Sequence, residues 1–142
     1  MSFTGPVEDR LAIRELLEIY ADAVNRCDPE AWGAIWAEDA EWSLPDYPEI
    51  GTIKGRDAIV AMWVEAMKAY PGIIFQAWPG SIEVDGDTAT MRSYTSEVYD
   101  QNGMTMRDRG FYEDVCAKRD GRWYFSARTF RNTHRQHAPK GC

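Results

Sequence analysis

The sequence predicts an α+β fold, with helices in the first half of the chain and an antiparallel sheet in the second half. Apolar side chains recur at helical spacing in three segments that lie before residue 71. After residue 72 the chain reads as strands separated by four short breaks, and three of these are Asp-Gly or Asn-Gly, dipeptides that favour hairpin turns. Because three apolar stripes need one apolar surface to share, we expect the sheet to curl around the helices.

The composition indicates one domain, spanning residues 1–142, that is large enough to bury a core. The formal charge of −7 argues against nucleic acid or an anionic membrane surface as a partner. No apolar run approaches the roughly 18 residues of a membrane span, and the first residues lack the features of a signal peptide. Cys27, Cys116 and Cys142 are odd in number and scattered, which favours a reducing compartment, by default the cytoplasm.

The first helix is predicted over residues 7–26. Pro6 suits its first position, and Glu8 and Asp9 suit the positive end of the helix dipole. Asn25 lies at the edge of the apolar stripe, near the end of the helix. The stripe itself consists of Ile13, Leu16, Leu17, Tyr20 and Val24.

A second helix is predicted directly after the first. Asp28 is its expected N-cap, Pro29 its first residue, and it ends near Glu38. Residues 40–44 then read as a short strand, and residues 45–51 as a loop.

The third helix opens at residues 55–57 and is stopped by Pro71-Gly72. The strands that follow are predicted at residues 73–78, 81–84, 88–100, 104–118 and 122–133. The polar tail over residues 134–142 is expected to fray or to pack on a neighbour.

The most informative stretch is the last hairpin, which turns at Asp120-Gly121 because this dipeptide tolerates the positive φ angles of a type I′ turn. Since side chains alternate along a strand, Tyr112 and Asp114 share one face of its first strand. One face of its second strand is predicted to carry Tyr124, Ser126 and Arg128, continued by Phe130 and Asn132. If the two faces coincide, a phenol, a carboxylate and a guanidinium lie together among aromatic rings, which fits either a small-molecule site or a structural ion pair.

Several short phrases of the sequence occur together in a particular order. They are Leu16-Leu17-x-x-Tyr20, Ala37-Glu-Asp-Ala-Glu-Trp42, Gly55-Arg-Asp-Ala-Ile59, Asp85-Gly-Asp-x-Ala89, Gly110-x-Tyr-x-Asp114, Asp120-Gly-x-Trp123 and Arg128. This series, over residues 8–133, resembles the SnoaL-like branch of the nuclear-transport-factor-2-like superfamily. The resemblance implies a cone-shaped α+β barrel, in which a strongly bent antiparallel sheet and three helices enclose a deep apolar pocket. That family includes dehydratases, a dehydrochlorinase, isomerases, polyketide cyclases and proteins that only bind ligands, so the fold alone does not assign a function.

The resemblance also implies positions for catalytic groups. The most similar catalytic members use an Asp at the end of the first helix to hold a His on the first meander strand. The Asp position falls on Asn25, and the His position falls on Phe75, or on Gln76 if the register slips by one. Neither is the family's residue, so that pair is expected to be absent. Arg128 and Tyr112 do match a functional arginine and a pocket-lining aromatic ring of the dehydrochlorinase.

Four residues are predicted as catalytic: Arg128, Tyr112, Asp114 and His134. Arg128 can stabilise an oxyanion or a departing anion, or it can be held in an ion pair with Asp114. Tyr112 can act as a general acid, as a base if its pKa is lowered, or as a core aromatic. His134 can replace the missing base or remain an exposed tail residue, and the pair His134 and His137 is too small for a zinc site.

A second group of residues is predicted to contact the substrate through rings, phenols, amides and one guanidinium. These are Tyr20, Asn25, Tyr47, Trp63, Phe75, Gln76, Arg92, Tyr94, Phe130 and Asn132. No nucleotide-binding loop, serine-hydrolase elbow or Cys-x-x-Cys occurs, so we expect neither a cofactor nor a metal.

Three functions remain open from the sequence. The first is a cofactor-independent lyase, such as a dehydratase, that acts on a hydrophobic, aromatic or polycyclic hydroxylated molecule; carbon–carbon cleavage and isomerisation or cyclisation are variants of it. The second is a ligand-binding protein without turnover. The third is a partner-binding domain, because such sheets pair into homodimers or homotrimers.

Overall fold

A computed structural model describes residues 2–140, so Cys142 of the cysteine argument lies outside the described residues. Within this range the chain forms three helices and seven strands. The helices are α1 (Val7–Arg26), α2 (Pro29–Ala34) and α3 (Arg56–Met67). The strands are β1 (Phe3–Thr4), β2 (Trp36–Leu44), β3 (Gly51–Lys54), β4 (Ile74–Asp85), β5 (Thr88–Gln101), β6 (Met104–Arg119) and β7 (Arg122–Pro139).

All seven strands belong to one curved sheet in the order β1-β4-β5-β6-β7-β2-β3. The four long strands β4 to β7 form the antiparallel meander that the turn dipeptides predict. β2 pairs with β7 in parallel and brings the helical half of the chain onto the sheet. The predicted α+β class is confirmed. No helix of the described chain is both long enough and apolar enough to cross a membrane.

The predicted helix cap and the predicted tight turn are both present in the structure. Asp28 caps α2 by accepting a hydrogen bond from the backbone N–H of Ala31 at 3.0 Å. Asp120 and Gly121 both have positive φ, 52° and 77°, as a type I′ turn requires.

Other boundaries of helices and strands differ from the prediction, because they depend on how the strands pair. Pro79-Gly80 does not end a strand, since the pairing of β4 with β5 only skips Gly80 as a β-bulge and then continues. β2 starts at Trp36, which pairs with Phe125, so α2 is shorter than predicted. The short strands β1 and β3 were not predicted. The tail does not fray after residue 134, because residues 134–139 pair with β6.

A second bulge changes which residues of β7 face the interior. The register between β6 and β7 skips Ser126, so Phe125 and Arg128, rather than Ser126 and Arg128, lie on the inner face. The prediction that Tyr124, Ser126 and Arg128 share one face is therefore wrong, and Tyr124 is half-buried beneath the guanidinium of Arg122, which is 5.2 Å from its ring.

The core is rich in aromatic rings, which pack where the helices meet the inner face of the sheet. Trp32 of α2 stacks on Trp63 of α3, with ring centroids 4.6 Å apart and planes 9° from parallel. The ring of Tyr20 from α1 lies 5.5 Å from that of Trp32. Such pairs contribute about 0.5–1.5 kcal/mol each beyond the burial of their area, and here they fix one end of an internal cavity.

Candidate active site

A cavity of about 150 Å³ lies between the inner face of the sheet and the helices. Most of its wall is apolar or aromatic. Its lining consists of Tyr20, Val24, Trp42, Leu44, Tyr47, Ile50, Trp63, Ala66, Met67, Tyr70, Ile73, Phe75, Thr95, Glu97, Tyr112 and Phe130. The volume corresponds to about one aromatic ring, since an engineered cavity of about this size binds benzene.

Two phenols meet at the buried end of this cavity. The hydroxyl of Tyr20 lies 3.3 Å from the hydroxyl of Tyr112, and the indole N–H of Trp42 donates to the Tyr112 oxygen at 3.2 Å. One hydroxyl proton of the pair is used in their mutual hydrogen bond. The other is available to a ligand, so the pair can donate one hydrogen bond into the cavity.

Arg128 lies behind these phenols and does not line the cavity. Its Nε donates to Asp114 Oδ1 at 2.7 Å, and its Nη2 donates to Asp114 Oδ2 at 3.2 Å and to Ser93 Oγ at 3.1 Å. Arg128 is fully buried and Asp114 is 3% exposed. The predicted contact of these two residues with a ligand is therefore not what the geometry supports. They form the buried ion pair that was the alternative interpretation.

The guanidinium of Arg128 still acts on the cavity through the rings in front of it. Its central carbon lies 3.7 Å from the ring centroid of Tyr112 and 4.5 Å from that of Tyr20. Burial lowers the pKa of Arg128, but the charge of Asp114 and the two phenols outweigh it and raise that pKa, so the cation is permanent. Burial raises the pKa of Tyr112 well above its usual value and also raises that of Tyr20. Both phenols therefore stay protonated near neutral pH and can donate hydrogen bonds, which disfavours the predicted role of Tyr112 as a base.

The carboxyl of Glu97 is the one carboxyl in the described lining of the cavity. Burial and, to a lesser extent, the nearby charge of Asp108 raise its pKa to about 7, while Arg135 opposes the change. A carboxyl with this pKa is present in both protonation states at neutral pH, which is what a general acid–base group requires.

Asn25 has a structural position instead of the catalytic one that the family pattern assigns to it. Its Nδ2 donates to the carbonyl oxygen of Phe75 at 3.0 Å, and its Oδ1 accepts from the N–H of Phe75 at 2.7 Å. This two-way hydrogen bond joins the end of α1 to β4 and turns the ring of Phe75 into the cavity. Gln76, the alternative for the missing histidine, is exposed on the other face of β4, because side chains alternate along the strand.

The loop between β2 and β3 covers one side of the cavity and is tied to β7. Asn132 Nδ2 donates to the hydroxyl of Tyr47 at 2.7 Å, and the N–H of Asn132 donates to Asp46 at 2.8 Å. Asn132 thus does not line the cavity but orients Tyr47, which does. The ring of Phe130 reaches the lining across Gly110, where a Cβ atom would lie only 2.6 Å from that ring.

Three predicted site residues lie outside the cavity on the opposite face of the sheet. His134 is exposed and contacts Thr133, so the predicted replacement base is not at the cavity. Arg92 is exposed and donates to the hydroxyl of Tyr94 at 3.1 Å, and neither residue reaches the lining. Arg92 and Tyr94 lie there because the buried residues of β5 fall at odd positions, and His134 lies there because it is opposite the exposed Arg109 of β6.

Glu97 is not among the residues predicted from the sequence, although the pattern of its strand indicates its position. Apolar Met91 and Tyr99 stand at odd positions of the same strand, and both are 2% exposed. Glu97 shares their face, so a carboxyl at an inner position was visible in the pattern.

The fold and the cavity define a class of α+β proteins in which a bent sheet and three helices enclose an apolar site. Residues 6–129 match the sequence model of the SnoaL-like domain, and the chain belongs to this family. The resemblance stated from the sequence is thereby confirmed. A search of curated proteins found no significant match to the chain.

Solved structures agree with this assignment. The chain is similar to a putative scytalone dehydratase from Novosphingobium aromaticivorans, with 24% identity, coverage of 92% of this chain and 87% of that one, and a TM-score of 0.80. A hexachlorocyclohexane dehydrochlorinase from Novosphingobium barchaimii shares 22% identity over 93% and 91% of the two chains, with a TM-score of 0.80. A nuclear-transport-factor-2-like protein with a cystatin-like fold, also from Novosphingobium aromaticivorans, shares 28% identity over 87% and 81%, with a TM-score of 0.74. At such identities the first two likenesses establish the fold.

Proposed function

We propose that the protein is a cofactor-independent lyase that eliminates water or a comparable group from a hydrophobic small molecule. The observation that carries this proposal is the carboxyl of Glu97 in an otherwise apolar cavity that also holds the phenol pair Tyr20–Tyr112. A proton acceptor and a hydrogen-bond donor on one cavity wall are what an elimination needs. Similarity to a putative dehydratase and a dehydrochlorinase supports the same class of reaction.

The proposed step balances within the cavity. The ionised carboxyl of Glu97 removes a proton from the carbon next to the C–O bond, and the released electron pair forms a C=C bond. The C–O bond breaks, and the leaving hydroxyl takes a proton from the phenol pair and departs as water. The proton on Glu97 then replaces the phenol proton by exchange through water. If the phenol pair instead donates to a carbonyl oxygen, the same groups support isomerisation through an enol.

The cavity volume narrows the substrate class that the sequence suggested. A space of about 150 Å³ matches a single substituted ring rather than a polycyclic molecule. The described lining contains no Arg, Lys or His, so an anionic substrate would lie beside Glu97 without direct contact to a cation of the lining. We therefore expect neutral single-ring alcohols and ketones to be turned over in preference to polycyclic or carboxylated ones.

The test is the variant Glu97→Gln, which keeps the size of the side chain and removes the titrating group. Turnover is measured on a panel of single-ring alcohols from the absorbance of the conjugated double bond that forms. We expect the variant to turn these alcohols over about 10²–10⁴-fold more slowly than the wild type. Glu113→Gln is the matched control, because Glu113 is an exposed glutamate on the other face of β6. Equal turnover by Glu97→Gln and the wild type would contradict the assignment.

A ligand-binding protein without turnover is the second candidate function. The ion pair of Arg128 and the hydrogen bonds of Asn25 favour it, because the residues at these two functional positions of the family both have structural contacts here. It predicts thermal stabilisation by single-ring ligands without product formation. It also predicts no uptake of deuterium by ketone ligands in D₂O, whereas an active Glu97 would exchange the proton next to the carbonyl.

A further inference from the structure

Three charged residues lie side by side across the central strands, next to the cavity. Glu97 of β5 is directly opposite Asp108 of β6, and Asp108 is directly opposite Arg135 of β7. The alignment with Arg135 depends on the bulge that skips Thr133, which returns β7 to register. Directly opposite residues on one face have Cβ atoms about 4.5–5.5 Å apart, so the two carboxyls are within reach of each other.

Only one of the two carboxylate oxygens of Asp108 has partners among the described residues. Its Oδ2 accepts from the hydroxyl of Tyr99 at 2.8 Å and lies 3.6 Å from Nη2 of Arg135. Its Oδ1 is buried and has no hydrogen-bond partner within residues 2–140. A buried carboxylate oxygen without a donor is costly, and the cost is removed if a neighbouring protonated group donates to it.

We propose that Asp108 is a positioning residue for Glu97, and that the two carboxyls share one proton, with Oδ1 of Asp108 as the acceptor and Arg135 as the counter-charge. This inference rests on the proposed role of Glu97 in proton transfer. The row would hold the acid form of Glu97 with its carboxyl aligned along the sheet, and loss of the proton would leave two adjacent carboxylates near one half-exposed arginine. Asp108 thus sets how readily Glu97 accepts a proton from a ligand.

The other groups around Glu97 are consistent with this assignment. The phenol of Tyr70 approaches from the turn after α3, and the phenol of Tyr47 approaches from the β2–β3 loop. Burial raises the pKa of Tyr70 to about 12, so this phenol stays neutral. The side chain of Arg135 is 48% exposed and is therefore a screened counter-charge. Asp108 raises the pKa of Glu97 and Arg135 lowers it, which gives the two neighbours opposite, separable effects.

The test measures the titration of the Glu97 carboxyl by NMR of protein labelled with ¹³C at glutamate, with Glu97→Gln used to assign the signal. In the wild type we expect a midpoint near the pKa of about 7. Asp108→Asn is expected to lower the midpoint by about one pH unit or more, because it removes the adjacent negative charge. Arg135→Gln is expected to raise it, by about half a unit, because it removes a screened positive charge.

Arg109→Gln is the matched control, since Arg109 is exposed on the other face of β6, one position from Asp108. It is expected to leave the midpoint unchanged. A midpoint that stays within about 0.2 units of wild type in Asp108→Asn would overturn the proposal. If Asp108→Asn does not fold, the exposed position of Arg135 keeps its variant measurable, and an unchanged or lowered midpoint there would overturn the proposal equally.

The titration needs no substrate, so it separates this inference from the proposed function. Shifted midpoints without any turnover would support the carboxyl pair and count against the lyase. Turnover that depends on Glu97 but has the same pH profile in Asp108→Asn would support the lyase and count against the pair. If both hold, the pH profile of kcat/KM shifts in the same direction as the NMR midpoint in each variant.

Discussion

Two aspartates lie buried on the inner face of β6, and their surroundings differ. Asp114 receives two hydrogen bonds from Arg128 and one from Ser93, so both of its oxygens have donors. Asp108 receives one hydrogen bond, from Tyr99, and its arginine is 3.6 Å away. The cross-strand neighbour of Asp108 is a second carboxyl, that of Glu97. Asp114 is thus a neutralised carboxylate, whereas Asp108 lies beside a second carboxyl on the neighbouring strand β5.

The same sheet therefore holds one carboxylate in a structural ion pair and another carboxyl in a position where it can react with a ligand. Burial removes water from both aspartates, but only Asp114 is given a buried cation in its place. That pair is closed behind Tyr112 and is inert toward a ligand. At Asp108 the cation is the half-exposed Arg135, 3.6 Å away, and the neighbouring carboxyl of Glu97, whose pKa is raised, lies in the cavity wall.

The largest expected effect on stability comes from removing Arg128, the cation that neutralises Asp114. Arg128→Met leaves the carboxylate of Asp114 buried without its cation, and we expect a loss of about 3–5 kcal/mol in the free energy of unfolding. Denaturant unfolding monitored by tryptophan fluorescence measures it. The double variant Arg128→Met/Asp114→Asn should recover a large part of the loss, because no buried charge remains. A cost below about 1 kcal/mol for the single variant would mean that the pair is not structural.

A smaller effect concerns the pH dependence of stability at Glu97. The pKa of Glu97 is about 7 in the folded chain, above the ordinary value of 4.5. Between these values the folded state binds a proton that the unfolded state has lost, so this group makes stability fall as pH rises from about 4.5 to 7. The loss is on the order of 2–3 kcal/mol at pH 8 relative to pH 4.5. Glu97→Gln should lack this component when unfolding is measured at both pH values, and identical pH curves for variant and wild type would refute it.

The smallest effects come from removing one hydroxyl beside each aspartate. Ser93→Ala leaves Asp114 with both bonds from Arg128, and we expect it to cost about 1 kcal/mol. Tyr99→Phe removes the one close donor of Asp108, and we expect a larger cost, of about 2 kcal/mol. Thermal unfolding of the two variants side by side measures the difference. Equal costs would indicate that Asp108 has a donor equivalent to Arg128.

Much of the fold could be predicted because its signals are local. The cap at Asp28, the type I′ turn at Asp120-Gly121 and the stripe of α1 each depend on residues within a few positions of one another. The pairing of Asp114 with Arg128 is one of the two alternatives that the sequence leaves open, but alternation and the turn alone would place Arg128 opposite Glu113. The bulge at Ser126 is what brings Arg128 opposite Asp114.

The predictions that are wrong mostly concern features that depend on residues distant in the sequence. A bulge at Ser126 leaves no trace in alternation, because the skipped residue is fixed by what β6 presents opposite it. The continuation of β7 through Arg135 follows from pairing with β6, not from its polar sequence. Glu97 differs from these cases, because apolar Met91 and Tyr99 on its face of β5 indicate that the odd positions turn inward and that Arg92 and Tyr94 do not.

The parallel pairing of β2 with β7 has a consequence for the order of folding. Trp42 lies opposite Arg128, so this contact joins positions far apart in the chain, whereas the β6–β7 hairpin joins neighbours through a tight turn. Closing the long loop between Trp42 and Arg128 has a larger entropy cost than closing the hairpin. We therefore expect the hairpin to be formed in the folding transition state and the β2–β7 contact to form after that state. Substitutions in the hairpin should then slow refolding, while those at Trp42 should mainly speed unfolding. The cavity, whose wall needs both Trp42 and Tyr112, would be the last part of the molecule to form and the first to open.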